Sequence, residues 1–167
     1  IVFYKPRISV ITNISKDHES IENLSKMFET FSQNTQDTLI INADCPHLKV
    51  IPFKNKHVVT FGLNTSATLC ANNIIHEQFR TTFTVDGQMF KIPLPGDYNV
   101  SNALAAIAVA RHLNISDKNI ALALNQFMGV QRRMDIIGEV DGIKVIDDYA
   151  HNPKKVTAVI NGIKHGC

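Results

Sequence analysis

The amino-acid sequence predicts an α/β protein with a mostly parallel sheet, flanking helices and an antiparallel hairpin. Short apolar runs rich in β-branched residues alternate with a segment of helical periodicity, which is the order of a parallel sheet with crossover helices. An Asp-Gly pair between two further strand-like runs predicts the hairpin, because glycine tolerates the positive φ of a tight turn. The chain has 167 residues, of which 44% are hydrophobic and 19% charged. That is the composition of a globular protein able to bury a core.

The first half of the chain carries the predicted parallel sheet. Residues 8–14, 38–42 and 57–61 are apolar runs with the length and composition of buried strands. A helix should follow the first strand from about Ser20, because apolar side chains recur there every three or four residues.

The middle of the chain predicts a hairpin followed by two helices. Residues 79–85 and 88–94 flank the Asp86-Gly87 turn. An alanine-rich helix should run over 99–113, with Asn99 as its N-terminal cap, and a second helix over 117–127.

A change of pattern near Gly129 predicts a domain boundary that divides the chain into 1–129 and 130–167. After it, 134–140 and 143–147 should form a second hairpin, and Pro153 should open a helix. Some 38 residues (167 minus 129) are too few for a complete domain. The chain also begins without Met, so we expect it to be cut from a longer protein.

Charge and cysteine content exclude several classes of function. The net charge is only +2 and the basic residues are scattered, which argues against a nucleic-acid or membrane partner. Three widely spaced cysteines without a CxxC pair predict unpaired thiols in a reducing cytoplasm rather than disulfides or a zinc site. Oligomeric state is not predictable.

Three polar segments follow strands or open a helix, where ligand sites of α/β sheets lie. In 12–18, Asp17 and His18 could hold a divalent cation beside phosphates, but spacing alone favours a solvated loop. In 96–102, Asn99 and Asn102 share a helix face and could read an adenine edge, or Asn99 could be only a cap.

The third segment joins 132–135 to 147–153. An arginine there could bind phosphate bidentately, and an aspartate that closes a strand could accept both hydroxyls of a ribose. A surface ion pair followed by a turn is the alternative interpretation.

In order, four motifs resemble the Mur ligases: TNISKDH at 12–18, INADCP at 41–46, PGDYNVSNALAAIAVA at 95–110, and GVQRRMD with DDYAHNP between 129 and 153. The resemblance implies a partial central ATP-binding domain over 1–129. It also implies that 130–167 begins a Rossmann-like C-terminal ligase domain.

The family resemblance implies an ATP- and Mg²⁺-dependent ligase of peptidoglycan precursor synthesis. Such enzymes convert a carboxylate of a UDP-N-acetylmuramate substrate into an acyl phosphate, which an amine then attacks. The last motif is most similar to members that add L-alanine to UDP-N-acetylmuramate. A tripeptide ligase of cell-wall recycling, another Mur-type ligase and a non-catalytic nucleotide-binding module are the alternatives.

The resemblance also implies roles for individual residues. His18 would be a magnesium ligand and, with Arg133, catalytic. The residues implied in nucleotide binding are Asn99 and Asn102 for adenine, Arg133 for the phosphates, Asp147 or Asp148 for the ribose, and Tyr149 and His151 beside the nucleotide.

The sequence departs from the family pattern at several points. The phosphate-binding GxxGK[ST] loop is absent from it, so we expect the chain alone to be inactive. Glu19 and Ser20 stand where a hydrophobic residue and Asp are usual, and Asn152 stands where His is common in the alanine-adding members.

Overall fold

The computed structural model describes residues 3–16, 19–54, 57–64, 66–77 and 79–164. Its first part is a parallel sheet of four strands in the order β1-β2-β3-β4. The predicted α/β class is confirmed, as are the three predicted strands, although the first ends at Ile11 rather than at residue 14. The fourth strand was not predicted. The strands are β1 (Ile8–Ile11), β2 (Thr38–Asn42), β3 (His57–Gly62) and β4 (Leu69–Cys70).

The helix predicted after the first strand is α1 (Ile21–Gln33), and it begins where the sequence indicates. The Ser20 side chain accepts a hydrogen bond from the backbone N–H of Asn23 at 3.2 Å, which caps the helix. A single further turn, α2 (Pro46–Lys49), follows β2. It is too short for a periodic pattern to predict.

An antiparallel sheet of three strands follows, in the order β5-β6-β7. Its strands are β5 (Asn72–Glu77), β6 (Arg80–Val85) and β7 (Gln88–Ile92), so the predicted hairpin is present and β5 extends it. The rest of the chain forms α3 (Asp97–His112), α4 (Asp117–Gln126), the hairpin β8 (Asp135–Val140) and β9 (Ile143–Asp147), and α5 (Pro153–Lys164).

The parallel sheet has an apolar core on each face, because side chains of a strand alternate between faces. Leu39 and Ile41 of β2 belong to the core beneath α1, whereas Ile40 belongs to the core around α3. The second core also contains Phe83 and Phe90, whose rings stack with centroids 5.9 Å apart. Helix α3 is therefore held between the two sheets, which fixes its N-terminal turn.

The prediction that Asn99 caps α3 is wrong. The helix begins two residues earlier, at Asp97, and Gly96 occupies the capping position with φ +90°. This left-handed conformation favours glycine and turns the chain into the helix sooner. Asn99 is the third helical residue, and its amide donates a hydrogen bond to the Pro95 carbonyl oxygen at 2.7 Å.

Arg111 fastens the end of α3 to two neighbouring elements. Its guanidinium lies 2.6 Å from the Asp86 carboxylate in the β6–β7 turn and 2.8 Å from that of Asp117 at the start of α4. These partners raise the pKa of Arg111, led by the hydrogen bond to Asp117. The cation therefore anchors α4 to the antiparallel sheet.

In the described part of the chain, no helix has both the length and the apolar character needed to cross a lipid bilayer. Cys45 and Cys70 are free thiols, as expected, and Cys167 lies outside the described residues.

Candidate functional site

A cavity of about 800 Å³ is lined by residues from three predicted polar segments and from the helices beside them. Its volume is within the usual range for small-molecule sites. The lining comprises Asn13, Ser15, Ile92, Leu94, Tyr98, Asn99, Asn102, Ala103, Ala106, Ala123, Leu124, Phe127, Gly129, Val130, Arg133, Asp148, Lys155, Ala158 and Val159.

One wall of the cavity is apolar and built largely from small side chains. Ala103 and Ala106 of α3 and Ala123 of α4 contribute methyl groups, and Ile92 and Leu124 complete the wall. Small residues leave space that larger ones would fill. The wall therefore suits a flat apolar ring, and sequence reasoning missed the part contributed by α4.

Both predicted asparagines line this cavity. Asn99 and Asn102 lie on the face of α3 that also carries Ala103 and Ala106, as the helical spacing requires. Asn102 is exposed on this face and Asn99 is half-buried. Amide groups both donate and accept hydrogen bonds, so this face can bind a heterocycle that presents both kinds of group.

Tyr98 adds a neutral phenol to the cavity. Burial raises its pKa above the ordinary value, and the Asp148 carboxylate adds to that rise, whereas Asn99 and Arg133 oppose it. The phenol therefore keeps its proton throughout the physiological range.

Both side chains of the Arg132-Arg133 pair contact the Tyr149 ring, but only Arg133 lines the cavity. The guanidinium carbons of Arg132 and Arg133 lie 5.1 and 5.7 Å from the centroid of the Tyr149 ring, within cation–π distance. Arg133 lines the cavity, whereas Arg132 lies 3.5 Å from the Asp147 carboxylate. Arg133 is thus the arginine of the pair that a ligand in the cavity can reach.

The two adjacent aspartates also differ. The Asp148 carboxylate accepts the backbone N–H of Met134 at 2.9 Å and that of Ala150 at 2.7 Å, and it lines the cavity. Asp147 does not line the cavity and pairs with Arg132 instead. Of the two candidates for a ribose, Asp148 therefore lies nearer the cavity, but its carboxylate already holds the loop together.

Tyr149 and His151 lie beside the cavity rather than in its lining. Their rings are 5.3 Å apart in an edge-on arrangement, and His151 Nδ1 lies 2.9 Å from the Tyr149 carbonyl oxygen. His151 Nε2 lies 3.0 Å from Nζ of Lys155, which does line the cavity. No sequence motif singled out Lys155.

The predicted magnesium ligand His18, with Asp17, lies outside the described residues. Asn13 and Ser15 of the same segment line the cavity, which brings this strand end to the site. Within the described ranges, His, Cys, Asp and Glu form no group of three or more able to hold a metal ion.

Comparison with known proteins gives two family matches. The model of the Mur ligase middle domain matches residues 1–110, and that of the Mur ligase glutamate ligase domain matches residues 132–166. A UDP-N-acetylmuramate–L-alanine ligase from Jannaschia sp. is 39% identical over 172 residues, which cover 94% of this chain and 36% of the relative. The chain thus spans little more than a third of that relative's length.

Two solved structures extend the comparison. The UDP-N-acetylmuramate-alanine ligase of Thermotoga maritima superposes with a TM-score of 0.84 at 28% identity, covering 99% of this chain and 40% of that one. A murein peptide ligase from Psychrobacter arcticus superposes with a TM-score of 0.68 at 27% identity, covering 98% and 36% of the two chains.

Proposed function

Because the chain belongs to the Mur ligase family, we propose that it supplies the nucleotide-binding part of an ATP-dependent amide ligase that adds L-alanine to UDP-N-acetylmuramate. The observation that carries the proposal is the cavity, which gathers Asn99, Asn102 and Arg133 around a wall of small apolar side chains. Similarity to alanine-adding relatives over 94% of the chain supports the choice of amine.

The residues of the cavity suit the parts of ATP. The alanine wall would take the adenine ring, and the amides of Asn99 and Asn102 would hydrogen-bond its edge. Arg133 would neutralise phosphate charge, which is the main task of protein groups in phosphoryl transfer. Bound ATP would supply the phosphoryl group that converts the substrate carboxylate into an acyl phosphate. His18 remains the proposed Mg²⁺ ligand.

The proposal is tested by phosphate release from the full-length gene product with ATP, Mg²⁺ and UDP-N-acetylmuramate. L-alanine, the tripeptide and no amine are offered in separate reactions. We expect release that depends on L-alanine. A folded protein that binds ATP yet releases no phosphate with either amine would refute the ligase proposal.

A tripeptide ligase is the second candidate, favoured by the likeness to the murein peptide ligase over 98% of the chain. Phosphate release that depends on the tripeptide alone would establish it. The non-catalytic alternative rests on Glu19 and Ser20, which depart from the family pattern beside His18. A cytoplasmic location, and the absence of nucleic-acid and membrane partners, stay predictions of the sequence.

A further inference from the structure

We propose that Lys155 is a phosphate-binding residue of the nucleotide site, oriented by His151 and acting together with Arg133. The inference rests on the proposed function, since it takes the ligand of the cavity to be a nucleotide. It adds to that function a cationic side chain that no motif in the sequence indicates.

Charged side chains line one side of the cavity. Its charged lining residues are Arg133, Asp148 and Lys155, all of which follow Val130 in the chain. Both oxygens of Asp148 accept backbone N–H groups, so much of its charge is satisfied within the loop. Two cations and one partly satisfied anion leave this side of the cavity suited to an anionic ligand.

Hydrogen bonds to His151 give the Lys155 side chain a defined direction. The Tyr149 carbonyl oxygen can only accept, so His151 Nδ1 carries the proton of the bond at 2.9 Å. An ammonium group can only donate, so His151 Nε2 accepts from Lys155 Nζ at 3.0 Å. His151 thereby orients the ammonium group of Lys155, a residue that lines the cavity.

A cation at the position of Lys155 in its helix is unfavourable for the helix itself. It is the third residue of α5, whose first turn contains no acidic residue. A cation in the first turn opposes the helix dipole, which there favours anions. Asn152 already caps this end by accepting the Lys155 backbone N–H at 3.0 Å, so the side chain is not needed for capping. An anion in the cavity would interact favourably with both the helix end and the ammonium group.

The test compares the binding of ATP and adenosine to the 167-residue chain by calorimetry, in the native sequence and in Lys155→Met, Lys155→Arg and Lys118→Met. Lys118 is the matched control, because it also lies in the first turn of a helix, α4, but is exposed and outside the cavity lining. We expect Lys155→Met to weaken ATP binding roughly tenfold and to leave adenosine binding unchanged. Lys155→Arg should retain most of the ATP affinity, and Lys118→Met should retain all of it.

The outcomes separate this inference from the proposed function. If Lys155→Met binds ATP as tightly as Lys118→Met does, the inference is overturned while nucleotide binding stands. If the folded native chain binds neither ATP nor adenosine, the proposed function falls and the inference with it. Equal weakening of ATP and adenosine binding by Lys155→Met would indicate a structural role and would also overturn the inference.

His151 is a positioning residue in this scheme, and a double-mutant cycle tests that role. His151→Ala should weaken ATP binding about threefold in the native background and have no effect in the Lys155→Met background, since it acts through Lys155. Additive losses would show that His151 does not act by orienting Lys155.

The melting temperature without nucleotide should not fall in Lys155→Met, because methionine is a good helix former and the cation opposes the helix dipole.

Discussion

The Asp148 carboxylate joins the segment that precedes β8 to the segment between β9 and α5. Asp148→Ala would leave the Met134 and Ala150 N–H groups without their acceptor, and we expect it to lower the free energy of unfolding by about 1–3 kcal/mol. Urea denaturation measures this loss. Asp147→Ala is the control, since its pair with Arg132 is long at 3.5 Å and Asp147 is 40% exposed, so its loss should stay below about 1 kcal/mol. Equal losses would contradict this account.

Tyr98 gives the protein a pH dependence in alkaline solution. Burial raises the pKa of its phenol in the folded state above the ordinary value of 10.0. Below the ordinary pKa both states keep the proton and stability is unaffected. As the pH rises from there through the folded pKa, the unfolded chain loses its proton first and stability falls. Thermal melts across this range should show a shallower decline for Tyr98→Phe, whereas Tyr4→Phe, at an exposed position, should decline as the native chain does.

At the scale of elements, α5 packs on the start of α3 through two glycines. A Cβ at Gly96 would lie 3.1 Å from Gly162 Cα and 3.2 Å from the Tyr98 ring, and φ there is +90°. Gly96→Ala should therefore destabilise through both backbone strain and steric overlap. Gly87→Ala is the control. Gly87 has φ +80°, but nothing lies within 4 Å of an added Cβ, so this substitution causes backbone strain without steric overlap. We expect about 1 kcal/mol of loss for Gly87→Ala and about 1–3 kcal/mol more for Gly96→Ala by urea denaturation. Similar losses of unfolding free energy in the two variants would mean that α3 and α5 can move apart to accommodate the added methyl group at little energetic cost.

The elements that could be predicted from the sequence are those in which the local pattern of apolar residues and caps matches the burial of the element in the folded protein. Buried strands such as β2 are continuous apolar runs, and α1 has both its periodicity and its Ser20 cap. The predicted start of α3 was wrong because Gly96, in a left-handed conformation and closely packed, takes the capping position that the sequence had assigned to Asn99. Strand β5 was missed because four of its six residues are polar and its pairing with β6 contains an irregularity between Asn72 and Ile75.

The site was predictable where a motif maps onto one face of one element. Asn99 and Asn102 lie in the cavity because helical spacing places them there. Ala123 of α4 and Lys155 of α5 reach the same cavity only through the tertiary fold, so no local pattern could indicate them.

At the scale of the whole molecule, the 167-residue chain should bind nucleotide without turning it over. The GxxGK[ST] loop that would hold the phosphates is absent from its sequence. We therefore expect no ATP hydrolysis above background in a phosphate-release assay on the purified chain. Turnover that persists through repeated purification would contradict this expectation. A variant such as Arg133→Ala should separate the chain's own activity from a contaminant, because only the former can change.

The cavity lining is shared between residues up to Phe127 and residues from Gly129 onward. A ligand that fills it must contact both segments, so its binding free energy is lost when either one unfolds. The close glycine contact between α3 and α5 already joins the segments, and a bound nucleotide would strengthen their cooperativity. Saturating ligand should thus make subglobal openings rarer on both sides of the cavity together.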